Sequence, residues 1–407
     1  MGRIISCVVT AVMFTALISC SKTENGNGIP DDNFDVPALT ESNTIQFTVN
    51  ASASPHASVI LFGGKVAVDW GDGTVNRRYD PERGEVGRSE FRHSYAKGGE
   101  YRVKIWSDEV TFIRLSGLLK DYRDVRVGNC PVLKNAVFNT ITKGKAIDIN
   151  GFPKIEELEI SNFKELESVN LDKCINLYVM SVYTKPEVSA LDLGSNNKLS
   201  KFYGSYCDLG QLDLPKSVAE LTLWNIKGLE SLVLNGYTQL VFLDCSSNGQ
   251  LTSIDLAGCD NLRTLNFSKT SVASFDFSIL PELRVVACNQ VAGITGVKVG
   301  ENTKLYQLSC SGNELTDLDL SSNVNLTTLD CSENLLESLD ISGSQYMDKL
   351  YINNNEFGKE ALEAIFTSLP QRRAGQMPPV IKYLGNPGSD EADKQILIGK
   401  EWFISSL

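Results

Sequence analysis

The sequence predicts a mainly β chain: a small β-sandwich, then a solenoid of about 11 short repeats, then a cap containing a helix. Three observations predict it. "LYQLSCSGNELTDLDLSSNVNLTTLDCSENLLESLDIS", from Leu305 to Ser342, repeats its own apolar spacing after twenty-one residues. Short runs of alternating apolar and polar residues, broken by Gly, Asn and Pro, fill the stretch from Thr44 to about residue 110. A helix-length amphipathic pattern is absent from most repeats and stands out at "NEFGKEALEAIFTSLP" (355–370), where Leu362, Ile365, Phe366 and Leu369 share one face.

The repeat register can be followed through the chain. Its first positions are Leu133, Ile155, Leu177, Leu199, Val218, Leu240, Leu262, Leu283, Leu305, Leu326 and Met347, at steps of 19 to 22 residues. In each, L-x-x-L-x-(L/C) turns alternate residues inward on one strand, and a later L-x-x-L-x-L is expected to do the same on a second. One repeat cannot bury both faces, so the repeats must stack. Asn248, Asn313 and Asn334 are expected to bond turn backbone between coils. Cys245, Cys288, Cys310 and Cys331 take inward positions held elsewhere by Ile160, Leu223 and Phe267, and read as small core hydrophobes. Cys130, Cys174 and Cys259 fall in coils that are not neighbours, beyond bridging reach, so no disulfide is expected.

A period of this length with this leucine spacing resembles leucine-rich repeats. It is most similar to the short two-stranded form in Bacteroidetes-type surface lipoproteins, with a distant likeness to internalins. "VDWGDGT" (68–74) with "HSYAKGGEYRVKI" (93–105) resembles the polycystic-kidney-disease (PKD) domain, an immunoglobulin-like sandwich. Trp70, Gly71, Asp72, Gly73, Thr74, His93, Tyr95, Gly99 and Tyr101 carry that resemblance. There Gly71 and Gly73 supply backbone conformations closed to other residues, Asp72 bonds turn amides, and Trp70 fills the core.

Residues 4–19 form an apolar run of signal-peptide length after Arg3, and "LISC" resembles a bacterial lipobox with Cys20 as the lipidated residue. The resulting organisation is a signal peptide (1–19), a flexible tether (20–41), a PKD-like sandwich (42–115), a leucine-rich-repeat solenoid (116–354) and a cap (355–407). The resemblance implies an outer-membrane lipoprotein displayed at the cell surface. Some surface lipoproteins carry an acidic export run just after the cysteine; here Glu24 is the only acid close after Cys20, so this segment does not decide between surface and periplasm.

With 38 Lys+Arg against 50 Asp+Glu, a formal charge of −12, the chain is not built for nucleic acid. It has 2 histidines, His56 and His93, and no Ser-His-Asp, HExxH, P-loop or dinucleotide fingerprint, so neither catalytic residues, a cofactor nor a metal site is expected. The function expected is binding of a host protein or a glycan; the alternative is a periplasm-facing structural or assembly role. The binding residues expected are Tyr183, Tyr203, Trp224 and Phe242, aromatics that the register turns outward on four successive coils amid polar neighbours. All are expected to be exposed, so their loss should cost little stability. On the second strand, outward Asp255 with Asp276 and Asp319 with Asp340 are expected to stack as carboxylates. They are expected to bond turn backbone, with weak calcium binding as the alternative.

Overall fold

The computed structural model describes residues 34–405 except 53–55, 63, 80–87, 109–110, 117–121, 129, 140, 144–145, 164–165, 184–190, 192, 210–211, 301, 373–374 and 376. Cys20, the signal segment and most of the tether lie outside the described residues.

The N-terminal part is two facing sheets. Ile45–Asn50 lies between Glu100–Ser107 and Tyr122–Val127, antiparallel to both, and Lys65–Asp69 and Val75–Tyr79 extend the sheet beyond Glu100–Ser107. The second sheet is centred on His56–Phe62, flanked by Arg88–Ser94 and Phe112–Ser116. Phe47, Val59, Leu61, Val68 and Trp70, contributed by both sheets, are fully buried between them.

The WGDGT turn is built as its residues dictate. Trp70 is buried, and its indole N–H donates to Asn76 Oδ1 at 2.7 Å. Asp72 Oδ1 accepts from the Thr74 amide at 3.0 Å, and Asp72 Oδ2 lies 2.7 Å from His93 Nε2. These bonds hold the Asp72 carboxyl below the usual carboxylate range, against the opposing effect of partial burial. Gly71 sits at φ +81°, and a Cβ there would meet the Arg102 carbonyl oxygen at 2.6 Å, so no side chain fits.

The second sheet does not end with the sandwich. Phe112–Ser116 pairs in parallel with Asn135–Asn139, the first strand of the first coil. From there one parallel ladder runs through every coil, making a 16-stranded sheet. The eleven first strands begin two residues after each first position, from Asn135–Asn139 to Lys349–Tyr351. We number these coils 1 to 11. The 19-residue step before Val218 leaves the register intact: Lys201 pairs with Glu220 and Tyr203 with Thr222. Sandwich and coils share one continuous apolar core. An exposed first edge would invite non-native pairing, and the sandwich sheet covers it.

Inward positions are filled as the spacing requires. Leu308 and Cys310, like Leu329 and Cys331, are fully buried. The eight cysteines described are free thiols. Burial pushes Cys288 up to about 12, which leaves it protonated and unreactive at neutral pH. Asn248, Asn313 and Asn334 bond backbone of their own and neighbouring coils. Asn313 donates to the Cys288 and Cys310 carbonyls at 2.9 and 2.8 Å and accepts from the Val291 amide at 2.8 Å.

The second strands are less regular than the spacing suggests. Among the described residues they form ladders only between Ala146–Asp148 and Ser168–Asn170 and between Ser231–Val233 and Ser253–Asp255. The outward Asp explains the shortness: Asp148, Asp255, Asp319 and Asp340 each accept from the amide two residues on, which bends the chain. Hydrogen bonds from Ser278, Ser321 and Ser342 hold the carboxyls of Asp276, Asp319 and Asp340 below their ordinary range.

In coils 2 and 4 to 11 a left-handed residue stands seven places after the first position, beyond the end of the first strand. Glycine fills it in coil 9 (Gly312, φ 68°), but Asn162, Tyr206, Asn225, Ser247, Lys269, Gln290, Glu333 and Asn354 hold it at φ 52–61°. A non-glycine residue there carries a steric cost of about 1 kcal/mol. Glu333 is exposed, and the hydrogen bond that its backbone N–H donates to the Asn353 carbonyl needs no side chain. Glu333→Gly is therefore expected to raise stability by about 0.5 kcal/mol, net of the added freedom of the unfolded chain. A urea midpoint at or below that of the parent protein would contradict it.

The cap follows its pattern. Helix Lys359–Ser368 buries Leu362, Ile365 and Phe366. Val380–Lys382 and Phe403–Ile404 then prolong the sheet.

Candidate functional site

On the repeat sheet, residues two, four and six places after each first position face away from the core, so they form three parallel rows. Strand pairing aligns them: Lys201 with Glu220 and Phe242, Ser181 with Tyr203, Thr222 and Asp244, and Tyr183 with Ser205 and Trp224. Coils 1 to 5 carry five-residue first strands, whereas coils 6 to 11 carry three.

The four aromatics expected as a line are spread over these three rows. Phe242 lies in the first row, Tyr203 in the middle one, and Tyr183 and Trp224 in the third with Ser205 between them. Tyr183, Trp224 and Phe242 are half-buried and reach the surface. Tyr203 differs from the expectation of exposure. It points outward, yet only 7% of it is exposed. Strand neighbours stand about 4.8 Å apart, so an outward ring lies against its neighbours rather than in water. Its hydroxyl donates to Glu220 Oε2 at 2.8 Å, and Glu220 in turn pairs with Lys201 at 3.0 Å. Burial, and then this hydrogen bond, push the Tyr203 phenol well above its ordinary range. Tyr203 therefore frames the surface and contributes to folding, and its replacement by Ala would not be cheap.

The sequence reading missed Tyr206. It occupies the left-handed position just past the strand of coil 4 and is 49% exposed. Its ring meets Trp224 edge-on with centroids 4.6 Å apart. An aromatic immediately past the outward run was the available signal. Asp244 and Glu159 were also passed over. Asp244 is 4% exposed and accepts from the Ser246 amide at 2.9 Å, and Glu159 accepts from Ser161 Oγ at 3.3 Å. Burial raises both carboxyls above their ordinary range. Thr222 lies between Tyr203 and Asp244 in the middle row, and its hydroxyl is buried without a hydrogen-bond partner.

No group of three or more metal-ligating side chains occurs among the described residues. Asp72 and His93 pair with each other in the sandwich, with the imidazole stacked on Trp70 at 5.0 Å. That arrangement braces the turn.

No protein-family model matches the chain, and no curated protein matches its sequence. Solved structures do match. The functional domain of InlJ from Listeria monocytogenes, which includes a cysteine ladder, aligns over 61% of this chain at 21% identity and TM-score 0.51. The chain spans 60% of that domain's length. An internalin, InlF, from the same organism aligns over 73% of this chain and 86% of its own, at 14% identity and TM-score 0.50. YopM from Yersinia enterocolitica aligns at 19% identity over 73% of this chain and 62% of its own, with TM-score 0.48.

The fold is a leucine-rich-repeat solenoid. Its spacing, its parallel first-strand sheet and its asparagine-bonded turns all fit that description. The leucine-rich-repeat sheet presents one broad outward face, where the aromatic rows lie.

Proposed function

We propose that this chain is a lipid-anchored binding protein of the cell envelope, held to the outer membrane through Cys20 and displayed at the cell surface. Its repeat sheet engages a protein or glycan ligand through Tyr183, Trp224 and Phe242, with Tyr203 beneath them and Tyr206 at the rim. A PKD-like sandwich stands between the anchor and the repeats as a rigid base.

The observation that carries this reading is the pair of exposed Tyr206 and half-buried Trp224 on the outward face of the sheet, an aromatic surface of the kind that marks contact with a partner. Large aromatics dominate binding hot spots and also stack on sugar rings. The chemistry of the site is that of recognition: its hydroxyl–carboxylate bonds, Tyr203 to Glu220 and Ser161 to Glu159, brace an aromatic and acidic surface. The fold neighbours support binding as a class and leave the ligand to be found.

Surface display is tested on intact cells. Brief protease treatment or membrane-impermeant biotin should cleave or label the chain while a periplasmic marker stays protected. Full protection until the outer membrane is breached would place the chain inside the envelope and favour a structural role.

A further inference from the structure

Charge on the outward face of the sheet is unevenly placed. The outward positions of coils 2 to 6 carry Glu157, Glu159, Glu220 and Asp244 against Lys201. Lys201 is already paired with Glu220 at 3.0 Å. The same positions in coils 7 to 11 carry Asp330 against Lys349 and are otherwise neutral. The acidic half is also the aromatic half.

Three of those carboxylates have no cation within ion-pair distance among the described residues. Glu157 accepts from the Asn135 side chain at 2.7 Å, Glu159 from Ser161, and Asp244 from the Ser246 amide. Arg114, in line with Glu159 two strands away, acts on it only at longer range. Hydrogen bonds to neutral groups leave the charge itself unbalanced, and partly buried carboxylates are costly until a cation neutralises them.

We propose that the outward sheet of coils 2 to 6 receives a cationic polypeptide segment, its Lys or Arg side chains seated among Glu157, Glu159 and the Tyr183 and Trp224 rings. This deepens the binding function above and rests on it. Asp244 adds negative potential from just beneath the surface, and the ring faces hold ammonium or guanidinium groups by cation–π attraction. A net charge of −12 steers such a segment in and repels anionic glycans and nucleic acid. A neutral sugar would leave the carboxylates uncompensated.

The test uses the full chain in neutral detergent and a fluorescent lysine- and arginine-rich peptide, with its glutamate-substituted counterpart as the matched probe. Generic attraction to an acidic protein is controlled by two variants that lose the same charge. One is Glu157→Gln/Glu159→Gln/Asp244→Asn, and the other is Asp317→Asn/Glu333→Gln/Glu337→Gln on distant exposed positions. The first should weaken peptide binding by about tenfold or more, the second by less than about twofold. The double variant Glu157→Gln/Glu159→Gln, which leaves buried Asp244 in place, should weaken it in the same direction. Equal loss in both charge variants, no loss in either, or preferential binding of neutral oligosaccharides would overturn the proposal. A chain that captures other surface ligands while ignoring the cationic peptide would also overturn it and leave the broader binding function standing.

Discussion

Asn334→Ala is expected to lower the free energy of unfolding by about 4 kcal/mol, one of the two largest single-site effects foreseen in this chain. The side chain is 4% exposed and joins two coils. Its amide donates to the Cys310, Cys331 and Ser332 carbonyls at 3.0, 3.1 and 3.1 Å, and its oxygen accepts from the Leu315 amide at 3.0 Å. Alanine leaves those buried groups without their partner, and each costs about 1–3 kcal/mol when water cannot replace it. Asn325 gives the control. It is exposed and bonds only the Thr303 carbonyl, at 3.0 Å, so Asn325→Ala should cost less than about 1 kcal/mol. Urea titrations of both variants check this, and equal losses would show that the buried ladder is not what ties the coils together.

Phe138→Ala should cost about 3–5 kcal/mol for a different reason. Phe138 is fully buried in coil 1, in register with Leu115 on the sandwich side and Ile160 on the solenoid side. Its loss opens a cavity at the junction of the two parts. Because one sheet and one core run through that junction, far-ultraviolet circular dichroism and tryptophan fluorescence should report the same lowered midpoint. Two separate transitions, with the sandwich unmoved, would mean that the shared sheet does not couple them.

The first strands were legible in the sequence because their inward residues alternate and the alternation repeats. Leu308 and Cys310, then Leu329 and Cys331, could be placed in the core before any coordinates. The second strands were less legible because the same apolar spacing is compatible with three-residue runs that Asp148 or Asp255 ends by bonding the next turn. Tyr203 shows the limit at the candidate site. Its outward direction follows from period two, but its burial depends on what stands on the neighbouring coils, which lie about 4.8 Å away in space and about twenty residues away in sequence. The left-handed positions were hidden for another reason: Tyr206, Lys269 and Glu333 hold them where glycine would have announced them. Continuity of the sandwich sheet with coil 1 rests on the pairing of Phe112–Ser116 with Asn135–Asn139, and no local pattern in either strand encodes its partner.

The measurement that bears most directly on the account is ligand capture by matched proteins on an array of extracellular host proteins and glycans. Parent protein is compared with Tyr183→Ala/Trp224→Ala, which spares buried Tyr203. Both residues are half-buried on the outward face, so the variant should melt within a few degrees of the parent. It should also lose at least about tenfold in binding to whatever the parent retains. An equally stable variant that keeps every interaction of the parent would contradict the claim that this face of the repeat sheet is the binding surface.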